Sequence, residues 1–424
     1  MKKILVIGSG AREHAICKKF QESKQEKKIY CLPGNAGITK IAEIIAIKQD
    51  DFPAIINFCQ SEKINFVFVG PEQPLVDGIV DELEKNNIKV FGPNKSASRL
   101  EGSKVFMKNI VSKNNVPTAK YQNFKKAKDA FNYAKTLGFP CVIKTDGLAA
   151  GKGVLIPQTE KECQNSLNEI FSGKFGAAGN EVIIEEFLDG FEASYFVLCD
   201  GKNFVSLGFA HDHKRAFEND QGLNTGGMGT YAPSPFIDEK IQQEIDEKII
   251  APSLAGLAAE GCAFKGILFA GLMLGSKGIK LLEYNIRFGD PETQVILPRI
   301  KGDFIDLIES AINGNLDKIK IELDQENKFV CVVIAANGYP ESYQKGSEIN
   351  NLEKANETDG AYILHAGTIE KNNKILANGG RVLNVVASAK TFKEAREKAY
   401  NCVDLINWKD GFCRKDIAKK AEGF

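Results

Sequence analysis

No Cys-x-x-Cys pair occurs among the ten cysteines, which lie scattered from Cys17 to Cys413. That spacing argues against structural zinc clusters and a disulfide framework, and it suits a reducing, cytoplasmic setting. Net charge is also missing, since 55 basic residues balance 55 acidic ones. Such a chain has no electrostatic footprint for nucleic acid or an anionic membrane, so neither is expected as a partner. No stretch reaches the ~18 apolar residues of a membrane-spanning helix. The start, Met1-Lys2-Lys3 followed by Ile4 to Ile7, is too short an apolar run for a signal peptide, and charge breaks it between Gly8 and His14. Repeats and low-complexity tracts are absent. So are a Gly-x-Ser-x-Gly elbow and a convincing Cys/His pairing, and covalent catalysis by a protein nucleophile is therefore not indicated.

What is present is ordinary globular composition, 26% charged and 43% hydrophobic over 424 residues. That length suits roughly two to four domains. The first hundred or so positions alternate short apolar runs with polar helical stretches, which predicts a parallel α/β sheet. Strands are expected at Lys3–Ile7, Ile29–Cys31, Asn65–Val69 and Lys89–Phe91, each followed by a Gly- or Pro-rich loop. Ligands of such sheets sit beyond the C-terminal strand ends, where these loops gather. A helix is predicted from Ser103 to about Gln122. Further on, strands are expected at Phe329–Ala336, Ala361–Gly367 and Arg381–Ala389, and a helix from about Phe392 to Ile406.

The run Lys280 to Glu292, KLLEYNIRFGDPE, carries the most chemistry. Read as a strand, it puts Leu282, Tyr284, Ile286 and Phe288 on a buried face. Glu283, Asn285 and Arg287 then share the other face. A carboxylate and an amide oxygen suit a hard cation such as Mg2+ or Mn2+. Arg287 offers a planar fork to a phosphate or carboxylate, and Asp290 adds an acid in the following turn. Polar alternation also describes a plain solvated edge strand. Upstream, Cys141 to Lys144 reads as a strand ending in a lysine. The turn Gly147-Leu148-Ala149-Ala150-Gly151-Lys152-Gly153 follows, and Val154 to Ile156 resumes a strand. This is a glycine hairpin whose amides suit a phosphate chain. It is not a P-loop, because no Ser or Thr and no helix follow the lysine.

Gly8-Ser9-Gly10-Ala11-Arg12-Glu13-His14 follows the first strand. Glu13 stands where a dinucleotide fingerprint needs glycine, and Leu32-Pro33 replaces the ribose-binding acid, so NAD is not expected. The loop reads equally as a phosphate site at a helix N-terminus or as a structural turn. Ile183 to Leu188 reads as a strand ending in a hinge whose backbone suits an adenine edge, with Glu192 placed for ribose hydroxyls. Two solvated acids at a strand end would look the same. His211 and His213 lack a third nitrogen or sulfur ligand for zinc. Asp212 suits an ammonium, and Asn224 to Gly229 forms a glycine loop beside it. His14 and His365 read as structural.

Together these motifs resemble the ATP-grasp ligases and, within them, the phosphoribosylamine–glycine ligase family. The likeness spans the chain: G-S-G-A-R-E-H at 8–14, P-G-N-A-G at 33–37, G-P-E at 70–72 and K-T-D-G-L-A-A-G-K-G at 144–153. It continues through E-E-F-L-D-G at 185–190, D-H-K-R at 212–215, N-T-G-G-M-G at 224–229 and E-Y-N-I-R-F-G-D-P-E-T-Q at 283–294. The resemblance implies ligation of glycine to 5-phosphoribosylamine with ATP, through glycyl phosphate. It implies a mixed α/β and α+β multidomain chain: an α/β domain at 1–102, a mobile lid region at 103–192, an ATP-grasp central domain at 193–325 and a small β-rich C-terminal domain at 326–424. By resemblance, Lys104, Lys144, Gly147, Gly151, Lys152 and Gly153 hold the ATP phosphates. Glu185, Phe187, Leu188 and Glu192 hold its nucleoside, and Glu283 and Asn285 the metal. Gly8, Gly10, Arg12, Glu72, Asp212, Lys214, Asn224, Gly226, Arg287 and Asp290 bind substrates, with Asp212 and Arg287 at the reacting groups. His211 stands where the family has Gln, and Leu223 where it has Pro. Another ATP-grasp ligase, or a non-catalytic nucleotide-binding regulator on the same fold, would share part of this pattern.

Overall fold

A computed structural model describes residues 1–148 and 153–424. Its N-terminal sheet is parallel, with strands β1 (Lys2–Gly8), β2 (Lys27–Pro33), β3 (Glu43–Ile44), β4 (Phe66–Val69) and β5 (Val90–Phe91) in the order β3-β2-β1-β4-β5. The middle strands are apolar on both faces because helices cover both sides, as parallel sheets require. The loops after β1 and β4 therefore meet at one edge. Four of these strands match the expected runs. β3 has two residues, too short to leave a periodicity.

A four-stranded sheet follows, ordered β6-β9-β7-β8: β6 (Tyr121–Phe124), β7 (Cys141–Thr145), β8 (Val154–Leu155) and β9 (Val182–Glu186). β7 and β8 pair antiparallel, Ile143 opposite Leu155 and Lys144 opposite Val154. Helices Ala127–Leu137 and Glu160–Glu169 pack on this sheet around a small core of their own, which includes Ala130, Ala134, Ile143, Leu167 and Ile184. The expected helix from Ser103 to Gln122 stops early. It runs Lys104–Lys113, capped by Ser103. Asn115 then takes a left-handed φ of 55°, and Pro117 follows in an extended approach to β6.

The largest sheet is continuous across the rest of the chain. Its order is β16-β15-β10-β11-β14-β19-β24-β21. The strands are β10 (Phe191–Asp200), β11 (Phe204–Asp212), β14 (Gly229–Ala232), β15 (Lys265–Gly275), β16 (Gly278–Asn285), β19 (Lys328–Ala336), β21 (Ala361–His365) and β24 (Arg381–Ala389). A hairpin of β12 (Arg215–Phe217) and β13 (Gln221–Asn224) projects between β11 and β14. Helix Phe392–Leu405 packs on β24 and β19. Phe68, Phe196 and Phe288 belong to one buried cluster that joins the N-terminal sheet to the central one. Full burial of each is worth about 2 kcal/mol.

β16 corrects the simple alternation. Gly271 faces Glu283 but Leu272 faces Leu281, so Leu282 is the extra residue of a β-bulge. Leu281 is fully buried, and Leu282 turns toward the cleft described below. The pattern resumes with Tyr284, Ile286 and Phe288 buried. The regular strand ends at Asn285, and Arg287 lies in the bend that follows.

Candidate active site

One cleft of about 550 Å3 collects most of the expected residues. Its walls come from the N-terminal loops, the hairpin sheet, the central sheet and the C-terminal region. Arg12 and Glu72 enter from the first turns of the helices Ala11–Gln21 and Glu72–Asp77, which follow β1 and β4. Lys104 lies on the helix Lys104–Lys113. Lys144, Gly147 and Gly153 come from the β7–β8 hairpin. Glu185, Phe187, Leu188 and Glu192 line the segment from β9 into β10. Asp212, Lys214, Asn224 and Gly226 come from β11 and the loop leading to β14. Glu283, Asn285, Arg287 and Asp290 complete the floor. Gly151 and Lys152 lie outside the described residues.

At the hairpin end, lysines and acids interlock. Lys144 Nζ is 3.1 Å from Glu185 Oε2 and donates to the Leu282 carbonyl at 2.9 Å, the bulged residue of β16. Glu185 is buried, and its other oxygen lies 3.0 Å from Lys108 Nζ. Burial alone would raise the Glu185 carboxyl, but the two lysines outweigh it and hold it below its ordinary range. Its carboxylate is thus ion-paired with both lysines, while Oε1 has no hydrogen-bond partner among the described residues. Lys104 Nζ donates to the Gly147 carbonyl at 3.1 Å. The Asp146 carboxylate accepts from Ser103 Oγ and Val105 N–H, fastening the hairpin to the start of the Lys104 helix.

Arg287 differs from expectation. Its Nε lies 3.1 Å from Glu72 and its Nη2 3.0 Å from Glu101, with Nη1 on the Phe288 carbonyl. The fork read as open to a phosphate is thus largely occupied by two carboxylates. The same guanidinium pulls Glu72 down to about 2. Burial raises Glu101 in spite of it. The glycine turn after β1 is likewise filled. Gly10 N–H donates to Glu13 Oε2 at 2.6 Å and Arg12 N–H to Asp290 at 3.4 Å. Two of the amides read as a possible phosphate cradle thus already face carboxylates, and Gly8 and Gly10 do not line the cleft. A side chain at Gly70 would put its Cβ 2.1 Å from Glu13, so this crossing of loops demands glycine.

At the other end, Asp212 is buried beside Lys214, with Nζ 3.4 Å from Oδ2. Its Oδ1 has no hydrogen-bond partner among the described residues. Burial raises this carboxyl against the pull of Lys214. An unpaired buried oxygen beside a glycine loop suits a small ammonium. Gly227, at φ 111°, passes so close that a Cβ there would lie 2.7 Å from Asp212 Oδ1. His211 faces away from the cleft. Its Nδ1 is 2.9 Å from the Glu192 carbonyl, which accepts only, so the proton sits on Nδ1 and Nε2 accepts from Ser234 Oγ at 2.7 Å. An amide side chain offers the same donor and acceptor, which accounts for the residue type. Burial draws His211 down to about 4 and His213 to about 4, so both are neutral. Leu223 is exposed on the β12–β13 hairpin. His14 Nδ1 accepts from the His365 backbone N–H and ties the first helix to β21.

Glu283 and Asn285 face the cleft without a side-chain hydrogen bond or ion pair among the described residues, next to Lys104 and Lys144. A carboxylate and an amide oxygen with no other partner fit one hard divalent cation that takes its remaining ligands from water and phosphate. Among the described residues no group of three His, Cys, Asp or Glu forms an all-protein metal cage.

Sequence reasoning missed several wall residues. Arg381 starts β24, and its Nη1 donates to the carbonyls of Gly226 and Asp290, both at 2.5 Å. Tyr339 donates no fold signal of its own, yet its hydroxyl accepts from Gly226 N–H at 3.1 Å. Glu101 ends a short helix and reads as a surface acid. Glu292 is buried, accepting from Ser194 Oγ at 3.1 Å. Lys108, outside the cleft wall but paired with Glu185 behind it, repeats Lys104 one helical turn on, a spacing that was available in the sequence.

Three family models match in succession. The phosphoribosylglycinamide synthetase N domain covers residues 2–101, its ATP-grasp (A) domain 102–293 and its C domain 329–420. A phosphoribosylamine–glycine ligase of Brucella melitensis biotype 1 is 48% identical over 99% of this chain and 98% of its own. One from Caldanaerobacter subterraneus subsp. tengcongensis is 46% identical over 98% of this chain and 99% of its own. The crystal structure of the phosphoribosylamine–glycine ligase of Thermotoga maritima superposes with a TM-score of 0.85 at 33% identity, over 98% of this chain and 99% of that one.

Proposed function

Because the chain belongs to the phosphoribosylglycinamide synthetase family, we propose that this ATP-grasp ligase of purine biosynthesis joins glycine to 5-phosphoribosylamine. The products are glycinamide ribonucleotide, ADP and phosphate. The observation that carries the reading is the cleft itself, which holds a buried acid with an unpaired oxygen, Asp212, at one end and Lys104 and Lys144 at the other.

In this reading the two lysines hold the nucleotide phosphates, and the Phe187–Leu188 backbone and Glu192 hold the nucleoside. Glu283 and Asn285 would hold a divalent cation, Mg2+ or Mn2+, which would supply neutralising charge to the phosphates. Asp212 receives the ammonium of glycine and directs its carboxylate toward the lysines. A carboxylate oxygen attacks the γ-phosphorus and ADP leaves, giving glycyl phosphate. The amine of 5-phosphoribosylamine then attacks the carbonyl carbon, one amine proton is lost and phosphate departs. Phosphoryl transfer needs positioning and charge rather than a protein nucleophile. The acyl phosphate must be kept from water while the amine arrives, which gives the residues 103–192 their proposed part as a lid.

No helix among the described residues is long and apolar enough to cross a membrane, and all ten cysteines are unpaired. A reducing cytoplasm is the compartment that fits.

The test is ADP release with each substrate omitted in turn, followed by turnover of glycine labelled with 18O in its carboxyl group. Release should require both glycine and the amine for sustained turnover, and the phosphate should carry one labelled oxygen. Glycine-independent release, or unlabelled phosphate, would refute the acyl-phosphate route.

A further inference from the structure

Lys108 carries a charge that the proposed chemistry does not use. It lies one turn beyond Lys104 on the same helix and is 1% exposed. Its ammonium is 3.0 Å from Glu185 Oε1, donates to Thr118 Oγ1 at 2.8 Å and sits 4.9 Å from the centre of the Tyr121 ring. Thr118 in turn donates to the Leu281 carbonyl at 2.7 Å, and Tyr121 donates to the Lys108 carbonyl at 3.0 Å. The ammonium is thus surrounded by a carboxylate, a hydroxyl and an aromatic face, although Glu185 Oε1 makes no hydrogen bond among the described residues, and Lys108 lies outside the cleft, whose wall includes Lys104, Lys144 and Glu185.

The arrangement is a line of three charges, Lys108–Glu185–Lys144. With Lys108 absent, Glu185 and Lys144 would form a closed pair of zero net charge at the point where a nucleotide phosphate is to be bound. With Lys108 present, one carboxylate is shared between two cations and the group keeps one positive charge. Of the two lysines, only Lys144 lines the cleft. The line also fixes position. Lys108 reaches Leu281 through Thr118, and Lys144 reaches Leu282 directly, so both lysines grip β16 immediately before Glu283. Holding a lysine this deeply buried is costly, and burial draws its ammonium down to about 8 although Glu185 lies beside it. A hydrophobic residue would fill the same space without that cost.

We propose that Lys108 is a positioning residue for phosphate recognition: it takes up half of the Glu185 carboxylate so that Lys144 keeps its charge for the nucleotide phosphates. This rests on the reading that the cleft binds ATP. Lys108 touches no ligand and acts only through Glu185.

The test compares binding of ADP and of adenosine by isothermal titration calorimetry to the full chain and its variants. Lys108→Met keeps the stem and removes the charge, and should weaken ADP about tenfold or more, the scale of one unit charge nearby in a partly screened site. Adenosine, which has no phosphate, should bind within twofold of wild type. Lys108→Met combined with Glu185→Gln restores one net positive charge and should recover much of the ADP affinity. Lys108→Arg keeps the charge and should stay close to wild type, which also serves if Lys108→Met fails to fold. Equal weakening of ADP and adenosine, or no recovery in the double variant, would mean that Lys108 serves only packing and would overturn the proposal. If wild type binds no ADP, the ATP reading fails instead, and the two failures are distinguishable.

Discussion

Arg287 and Glu72 are in contact at 3.1 Å across two sheets, one residue in the bend after the edge strand β16 and the other at the start of the helix that follows β4 of the N-terminal sheet. The pair, with Glu101 on the other side of the guanidinium, pins the cleft floor to the N-terminal domain.

The pair has a pH signature. Glu72 titrates near 2 in the folded chain against an ordinary value of 4.5, chiefly through Arg287. A carboxyl whose pKa is depressed by folding stabilises fully above its unfolded value and loses that contribution as pH falls through the folded one. The stability gap between wild type and Glu72→Gln should therefore hold constant above about pH 5 and close between roughly pH 4.5 and 2. Part of the group is exposed, so about 1 kcal/mol is expected. Thermal unfolding across that range measures it. A gap that does not change with pH would show that the pair contributes nothing through its charge.

Asp212→Asn removes the charge next to the unpaired Oδ1 but keeps the shape. The KM for glycine should rise by tenfold or more while that for ATP stays within about threefold, since uniform loss of one partner appears in the KM of its own ligand. Parallel changes in both constants would place glycine elsewhere.

Glu283→Gln replaces the one charged oxygen of the proposed cation site. Turnover should fall about a hundredfold or more, with circular dichroism unchanged. Activity within a few-fold of wild type would remove Glu283 from that role.

Arg381→Met leaves the nucleotide end untouched but frees the Gly226 and Asp290 carbonyls. Its kcat/KM should drop about tenfold or more, in keeping with the cost of leaving buried polar groups unpaired. ADP affinity should move less than twofold. A matching loss of ADP affinity would mean that Arg381 supports the whole cleft rather than its substrate end.

The fold was legible where residues vote together. β1 and β4 carry unbroken runs of Ile, Leu, Val and Phe, and β2 a shorter apolar run, Ile29 to Leu32, each closed by a Gly or Pro turn. The cleft was legible through glycines and through Glu283 and Asn285 on one strand face. The rest depends on information held far away in the chain. The bulge at Leu282 is set by pairing with Gly271 and Leu272, which a single strand does not reveal. Arg381 and Tyr339 reach Gly226 only because β24 and β19 extend the central sheet, and nothing local marks them. Arg287 reads as an open fork until Glu72 and Glu101 arrive from other elements. Lys108 shows that a helix period can place two lysines on one face without telling which one meets the ligand.

The continuous sheet gives the C-terminal region a further obligation. β14, which runs beside Asp212 on one side, pairs through Gly229 to Ala232 with Val332 to Phe329 of β19 on the other. A chain cut before Lys328 would leave that row of amides and carbonyls unclaimed. Bare edges of this kind recruit other chains. The C-terminal region thus protects its neighbour from aggregation as well as furnishing Arg381, and removing it should yield an insoluble protein rather than a smaller enzyme.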